Sequence, residues 1–176
     1  MSNLRYIIIM NMKNKYEKKY ENIIKELIEK FFNELKGMEI RIIEVDKVKY
    51  YATALHKRKF FELRLNKAVR KFKKSRIRAM FAHELGHFVI YKKVGYILTK
   101  ISDFLEDRFR FFKSLQEKSA DKEAIKHGFG RIFYNLRKER RKKKPGKNKK
   151  KKSVYMTSDE IKEYMKKQEK KNDIRN

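Results

Sequence analysis

The chain has no cysteine and no tryptophan, and its 176 residues include one proline, six glycines and four histidines. Without cysteine there is no disulfide framework, and a metal site cannot use thiolate ligands. The scarcity of these residue types, together with abundant lysine, glutamate and isoleucine, is typical of cytosolic proteins from hyperthermophiles. We therefore expect a cytoplasmic protein from a thermophile.

Long apolar runs are also missing. The apolar stretch from Tyr6 to Met10 is far shorter than the roughly 20 residues that a bilayer crossing needs. No signal-peptide cleavage pattern follows it. We therefore expect a soluble protein without membrane insertion.

Positive charge is concentrated in one stretch of this basic chain. The formal net charge is +28, and residues 136–152 hold 12 basic residues against one acidic residue. Such a segment repels itself and binds polyanions through counterion release. We expect a domain over residues 1–135, a flexible Lys/Arg-rich linker over 136–152 that can bind nucleic acid without sequence preference, and a C-terminal helix over 153–176.

The motif Ala82-His83-Glu84-Leu85-Gly86-His87 dominates the chemistry of the sequence. Residues four apart are neighbours on one face of a helix, so His83 and His87 can both offer a ring nitrogen to a zinc ion. Glu84 lies between them and can reach the water on the metal. Zinc makes such water acidic, and Glu84 would then be the general base that takes its proton.

A catalytic zinc ion needs a third protein ligand, and two candidates lie downstream. Glu117 is followed one turn later by Asp121, which could accept the outer N–H of a zinc-bound imidazole. His127 is a rival that, unlike Glu117, is not followed by a carboxylate one helical turn later. An extended motif ending in a third histidine is excluded, because Ile90 and Lys93 occupy the positions that need glycine and histidine.

The combination of HELGH with Glu117-Lys118-Ser119-Ala120-Asp121 resembles the gluzincin metallopeptidases, over about residues 14–130. It is most similar to the minigluzincins, small soluble relatives of the catalytic core of CaaX-prenyl endopeptidases and HtpX. The resemblance implies that His83, His87 and Glu117 bind Zn²⁺, that Glu84 is the catalytic base, and that Asp121 orients a ligand. The membrane relatives also carry a downstream histidine and arginine that stabilise the transition state. For that role this chain offers His127, Arg131 and Tyr134.

The pattern of apolar residues predicts an α+β fold, which the resemblance makes zincin-like. An amphipathic scaffold helix spans residues 14–36, and three strands of a small sheet follow at 38–45, 48–55 and 59–65. The resemblance implies that an edge strand of this sheet borders the zinc ion, and we expect the last strand to be that edge, where it would bind peptide backbone or simply be protected by charged residues. His56 is expected in a solvated turn.

The two helices that carry the motif follow the sheet. Ser75 is expected to cap the HExxH helix, which would run to about Lys93, and the glutamate helix should stop near Gly128. The phenylalanines between 104 and 112 favour a place in the core, with a substrate pocket as the alternative.

A capping box of Thr157 and Glu160 predicts a final helix with an apolar stripe. That helix could cover the domain, or it could block the cleft. The resemblance implies the second role, because minigluzincins are held latent in this way. The sequence therefore predicts a soluble zinc endopeptidase held latent by its C-terminal segment. The alternatives are a nucleic-acid-associated protein, in which the core is a scaffold or a DNA-localised protease, and a regulatory peptidase of the ImmA type.

Overall fold

The computed structural model describes residues 7–11, 16–46, 50–143 and 153–173. It shows an α+β fold, as the sequence predicts. The strands are β1 (Ile7–Asn11), β2 (Glu39–Val45), β3 (Ala52–His56) and β4 (Phe61–Asn66). The helices are α1 (Glu17–Lys30), α2 (Lys74–Arg108), α3 (Arg110–Ala124), α4 (Gly130–Lys143) and α5 (Ser158–Asp173).

The strands form one mixed sheet in the order β1-β2-β4-β3. β2 pairs in parallel with β1 and β4, whereas β3 pairs antiparallel with β4 through registers such as Ala54 opposite Leu63. The three predicted strands are present within a few residues. The sequence does not predict the fourth strand, β1, because its residues look like part of a poorly ordered N-terminal segment.

This strand order corrects the prediction that residues 59–65 form a sheet edge. β4 is paired on both sides, by β2 and by β3, so its backbone groups are already used. Its burial pattern agrees, because Phe61, Glu62 and Leu63 are all buried and both faces of the strand are covered. β3 is the edge strand of this side of the described sheet.

The core lies between the sheet and helices α1 and α2. On α1 the predicted apolar stripe is buried, with Ile24, Leu27 and Ile28 fully covered. This helix ends at Lys30, earlier than predicted, and a short 3₁₀ turn at Asn33–Leu35 leads to Gly37, whose φ of 81° suits glycine. Leu35 of this turn continues the apolar spacing of α1, which is why the sequence predicts one longer helix.

Helix α2 carries the HExxH motif and differs from its prediction at both ends. Its N-cap residue is Lys73, with an extended backbone, so Ser75 lies within the first turn instead of capping it. Gly95 interrupts the helix with a φ of 81°, close to the predicted end. A second stretch of helix then continues to Arg108.

The second half of α2 and the first half of α3 form a hairpin whose aromatic residues are largely exposed. Phe104, Phe109 and Phe111 are 63%, 55% and 68% exposed. The prediction that the phenylalanines of this region belong to the core is therefore wrong for these three. Helical spacing gives the face on which residues lie, but not whether another element covers that face.

The C-terminal part is more helical than the sequence predicts. α3 ends at Ala124, close to the predicted stop near Gly128, and a π-helical turn at Ile125–Phe129, in which Gly128 has a φ of 89°, connects it directly to α4. α4 then extends to Lys143, into the segment expected to be a linker, and residues 144–152 lie outside the described part of the chain. None of the helices described here is both long and apolar enough to cross a bilayer.

Helix α5 packs against α4 and the π-helical turn instead of standing free. The predicted capping box is present: the Thr157 N–H donates to Glu160 Oε2 at 2.7 Å, and the Glu160 N–H donates to Thr157 Oγ1 at 3.2 Å. Ile161 is fully buried, and Met165 packs against Gly130. The apolar stripe therefore docks the helix on the domain.

Candidate metal centre

Helices α2 and α3 bring the predicted ligand residues together. His83 and His87 lie one turn apart on α2, with ring centroids 5.0 Å apart. Glu117 of α3 faces both rings, with its Oε2 3.0 Å from His83 Nε2 and 3.8 Å from His87 Nε2. One ligand atom from each of the three residues lies within 4.8 Å of the other two, a spacing that can hold a metal ion.

A close contact between the two helices makes this arrangement possible. A Cβ atom on Gly86 would lie 2.6 Å from the main-chain oxygen of Ala120, which is far too close for carbon and oxygen. Glycine in the motif and alanine on α3 thus allow the backbones to approach.

Asp121 holds the outer nitrogen of His83. The His83 Nδ1 lies 2.9 Å from Asp121 Oδ1, and it must carry the proton because a carboxylate only accepts. In the neutral ring, Nε2 then presents its lone pair toward the Glu117 carboxylate. Two lone pairs facing each other at this distance need a cation between them or a proton on His83. The donor set of two imidazoles and one carboxylate is one that Zn²⁺ uses in catalytic sites.

The pKa shifts of His83 and Glu117 also favour a positive charge between these side chains. Burial lowers the pKa of His83, but the hydrogen bonds of its ring with Asp121 and Glu117 outweigh this and raise the pKa to about 10. Burial favours the neutral form of Glu117, yet hydrogen bonds from His83 and His87 hold the pKa of that carboxyl well below its usual range. The three residues could therefore hold a cation, and without a metal ion these shifts favour a proton on His83.

Glu84 is buried beside the ligands, against the edge strand. Burial raises the pKa of its carboxyl group, and the nearby imidazoles of His83 and His87 only partly offset this. The backbone of Ala54 on β3 hydrogen-bonds to Glu84 and also favours its charged form. A carboxylate with a raised pKa is suited to accept a proton near neutral pH.

His127 lies in a different cluster, apart from the imidazole pair. Its Nε2 is 3.0 Å from Glu34 Oε1, and Glu123 completes the group. The Glu123 carboxylate is already paired with Lys93 at 2.6 Å and Lys126 at 2.9 Å, so these ammonium groups compete with any cation. The structure thus brings Glu117, and not His127, to the paired histidines.

The other two candidates for stabilising an oxyanion are Arg131 and Tyr134. They also make no described contact with the triad of His83, His87 and Glu117. Arg131 is exposed on α4, and Tyr134 is partly buried with the Lys138 ammonium group 5.7 Å from its ring centre. None of the contacts described for these residues, or for His127, involves a residue of the triad.

His56 is buried, in contrast to the predicted solvated turn. It is the last residue of β3, and its ring stacks on that of Tyr91, with centroids 5.9 Å apart. Its Nδ1 lies 3.1 Å from Thr99 Oγ1. Because the hairpin after Gly95 folds back over the end of the strand, this histidine is covered.

The residues preceding α5 form a strap (residues 153–157) that crosses the site. The Tyr155 ring lies 5.7 Å from the His83 ring, and the Met156 N–H donates to Asp121 Oδ2 at 2.9 Å. Arg137 of α4 lies over the Tyr155 ring at 4.8 Å, with its Nη2 3.5 Å from Asp121 Oδ2. Sequence reasoning missed all three residues, since nothing in their local pattern marks them.

Comparisons with protein-family models, with curated proteins and with solved structures found no match to this chain.

Proposed function

We propose that this protein is a zinc-dependent endopeptidase. The observation that carries the proposal is the convergence of His83, His87 and Glu117 beside the buried Glu84. Two imidazoles and one carboxylate leave a fourth position of a tetrahedral ion open for water or substrate, which distinguishes catalytic from structural zinc sites. On the same grounds we propose that the fold is zincin-like.

The roles of the residues follow from their surroundings. His83, His87 and Glu117 would hold Zn²⁺, which supplies polarisation of a carbonyl group and acidifies water. Asp121 fixes the tautomer of His83, so that Nε2 is the nitrogen that faces the ion. Glu84 accepts the proton of the attacking water and passes it to the leaving amine as the peptide bond breaks.

Substrate binding in this proposal uses β3 in place of the originally predicted strand. β3 is an edge strand of the described sheet, and Ala54 brings it into hydrogen-bond contact with Glu84. An extended peptide can add to such an edge through main-chain hydrogen bonds, which place its backbone without regard to side chains. This geometry delivers a peptide bond directly to the proposed base.

The strap supports latency. Tyr155 is partly buried beside His83, and both burial and the charges of Glu117 and Glu84 raise the pKa of its hydroxyl group. The strap therefore occupies space next to the open side of the triad, where a substrate would have to lie. α5 anchors it, through the buried Ile161 and an ion pair of 2.5 Å between Lys118 and Glu160.

The test uses a full-length chain whose strap is weakened by Tyr155→Gly. Loaded with zinc, this variant should cleave an unfolded protein such as reduced, alkylated casein. Adding Glu84→Gln should abolish cleavage while the zinc content stays near one ion per chain. Cleavage that survives Glu84→Gln, or no cleavage with zinc fully bound, contradicts the proposal.

A second candidate is binding to nucleic acid, favoured by the exposed basic residues of α4. Lys138, Arg140, Arg141 and Lys142 are exposed on the last turns of this helix. They can contact phosphates without reading sequence. Affinity for duplex DNA that falls steeply with salt, and that neutralising these four residues removes, would support this function; affinity independent of salt would exclude it.

A further inference from the structure

A cavity of about 340 Å³ lies between the second half of α2 and the first half of α3, directly beside the metal centre. Its size is at the lower end of the roughly 300–1,000 Å³ of ligand-binding pockets. One wall is the imidazole of His87, and Gln116 and Ser119 flank Glu117 on the opposite helix. The remaining lining residues are Ile90, Tyr91, Val94, Leu98, Thr99, Ser102, Phe112 and Leu115.

Several polar groups of the cavity wall already have hydrogen-bond partners. The Thr99 hydroxyl donates to the Gly95 main-chain oxygen at 2.7 Å, and the Gln116 amide donates to Ser102 Oγ at 2.5 Å. The other end of the Gln116 amide is buried and has no partner among the residues that the structure describes. This oxygen is covered by protein and offers no hydrogen bond to a ligand, so the surface that a ligand meets in the cavity is mostly apolar.

The mouth of the cavity is apolar and faces solvent. Val94, Leu98 and Leu115 line it and are 41%, 58% and 48% exposed. Exposed apolar residues continue from there along the hairpin, with Ile97 at 74%. Contiguous apolar surface of this kind marks a binding region in a protein whose surface is otherwise heavily charged.

We propose that this cavity receives a large apolar side chain of the substrate, next to the bond that is cleaved. The inference rests on the proposed endopeptidase function. A peptide whose bond lies at the triad has its neighbouring side chains within reach of the His87 wall of the cavity. The preferred substrates are therefore apolar stretches, which unfolded proteins expose and folded proteins bury.

A binding experiment tests this on the full chain without relying on catalysis. The probe is N-acetylphenylalaninamide, with N-acetylserinamide as its polar counterpart, and binding is followed by methyl NMR of the metal-free protein. None of the strap contacts described above involves a lining residue, so the strap stays in place. The phenylalanine compound should shift the methyl signals of Ile90, Val94, Leu98 and Leu115, and the serine compound should not.

Two neighbouring residues provide a matched pair of variants. Leu98→Glu places a charge in the cavity mouth, whereas Ile97→Glu makes the same change at the next, more exposed residue outside it. Leu98→Glu should weaken binding of the phenylalanine compound at least tenfold, and Ile97→Glu should change it less than twofold. Equal effects of both variants, or shifts confined to other methyl groups, overturn the proposal.

Cleavage then separates this inference from the function on which it rests. The Tyr155→Gly chain should produce casein termini enriched in Leu, Phe and Tyr, and Leu98→Glu should remove the enrichment. Cleavage without side-chain preference overturns the pocket but leaves the endopeptidase. Cavity binding without any cleavage overturns the endopeptidase, and the substrate assignment fails with it. Binding of lipid vesicles that requires Ile97 and Leu98 equally also overturns the proposal, because the hairpin is then a membrane-binding surface.

Discussion

The main-chain N–H of Met156 donates to Asp121 Oδ2 at 2.9 Å, while the other oxygen of the same carboxylate lies 2.9 Å from His83 Nδ1. One side chain thus joins the strap to a proposed metal ligand. The bond is buried, where hydrogen bonds to a charged group contribute about 1.5–3 kcal/mol. Release of the strap would therefore alter the hydrogen bonding of His83 at the metal centre as well as open the cleft.

Removing the Met156 N–H should activate the proposed peptidase. Met156→Pro lacks the donor, so the strap should detach more readily and zinc-loaded protein should cleave unfolded casein several times faster than the parent chain. Met156→Leu keeps the N–H and a similar volume, and it should leave the rate unchanged. Equal rates for the proline and leucine variants would show that this bond does not hold the strap.

Asp121→Asn should weaken zinc binding by about 10–100-fold, because the residue that orients His83 loses its charge. The matched control is Glu123→Gln, which neutralises another buried carboxylate on the same helix, one that pairs with Lys93 and Lys126. Competition with a zinc-sensitive dye measures both affinities. An equal loss in the two variants would mean that the effect is a general one of charge on α3.

Gly86→Ala should separate α2 from α3. The new Cβ would lie 2.6 Å from the main-chain oxygen of Ala120, so we expect a loss of about 1–3 kcal/mol in the free energy of unfolding and weaker zinc binding. Gly130→Ala is the control, since its Cβ would meet the flexible side chain of Met165 at 2.7 Å. Urea unfolding should show the larger loss for Gly86→Ala, and the reverse order would contradict the tight helix contact.

The metal-free protein should lose stability as pH rises from about 6.5 toward 10. The pKa of His83 is raised from 6.5 to about 10, so the folded state binds its proton more tightly than the unfolded state does. This contribution is complete below pH 6.5 and disappears as pH rises through about 10. Urea unfolding in the presence of a chelator measures it. His83→Gln should have a flatter profile over this range, and an identical slope in both proteins would refute the assignment.

The sequence predicts much of which side chains meet at the candidate site, because that signal is local. His83, Glu84 and His87 share two turns of one helix, and Asp121 follows Glu117 by one turn, so spacing alone determines which side chains are neighbours. The strand that borders the site could not be obtained in this way. Strand order depends on pairing between distant segments, and only the structure shows that β3, not β4, is the edge beside Glu84.

The sequence also could not predict which residues of the hairpin region are buried. Phe104 and Phe111 have the spacing of core residues, yet no element of the described structure covers them, whereas His56 looks like a turn residue and is enclosed by Tyr91 and Thr99. Both outcomes depend on where the chain goes after Gly95. A helix pattern carries no information on that direction.

The proposed function depends most on Glu117 completing a zinc site with His83 and His87, and zinc titration of the metal-free full chain tests this directly. Isothermal calorimetry should show one tightly bound ion per chain. Glu117→Ala should reduce the affinity by a large factor, and His127→Ala, in the cluster with Glu34, should leave it unchanged. Tight binding that survives Glu117→Ala, or that is lost only in His127→Ala, would contradict the account.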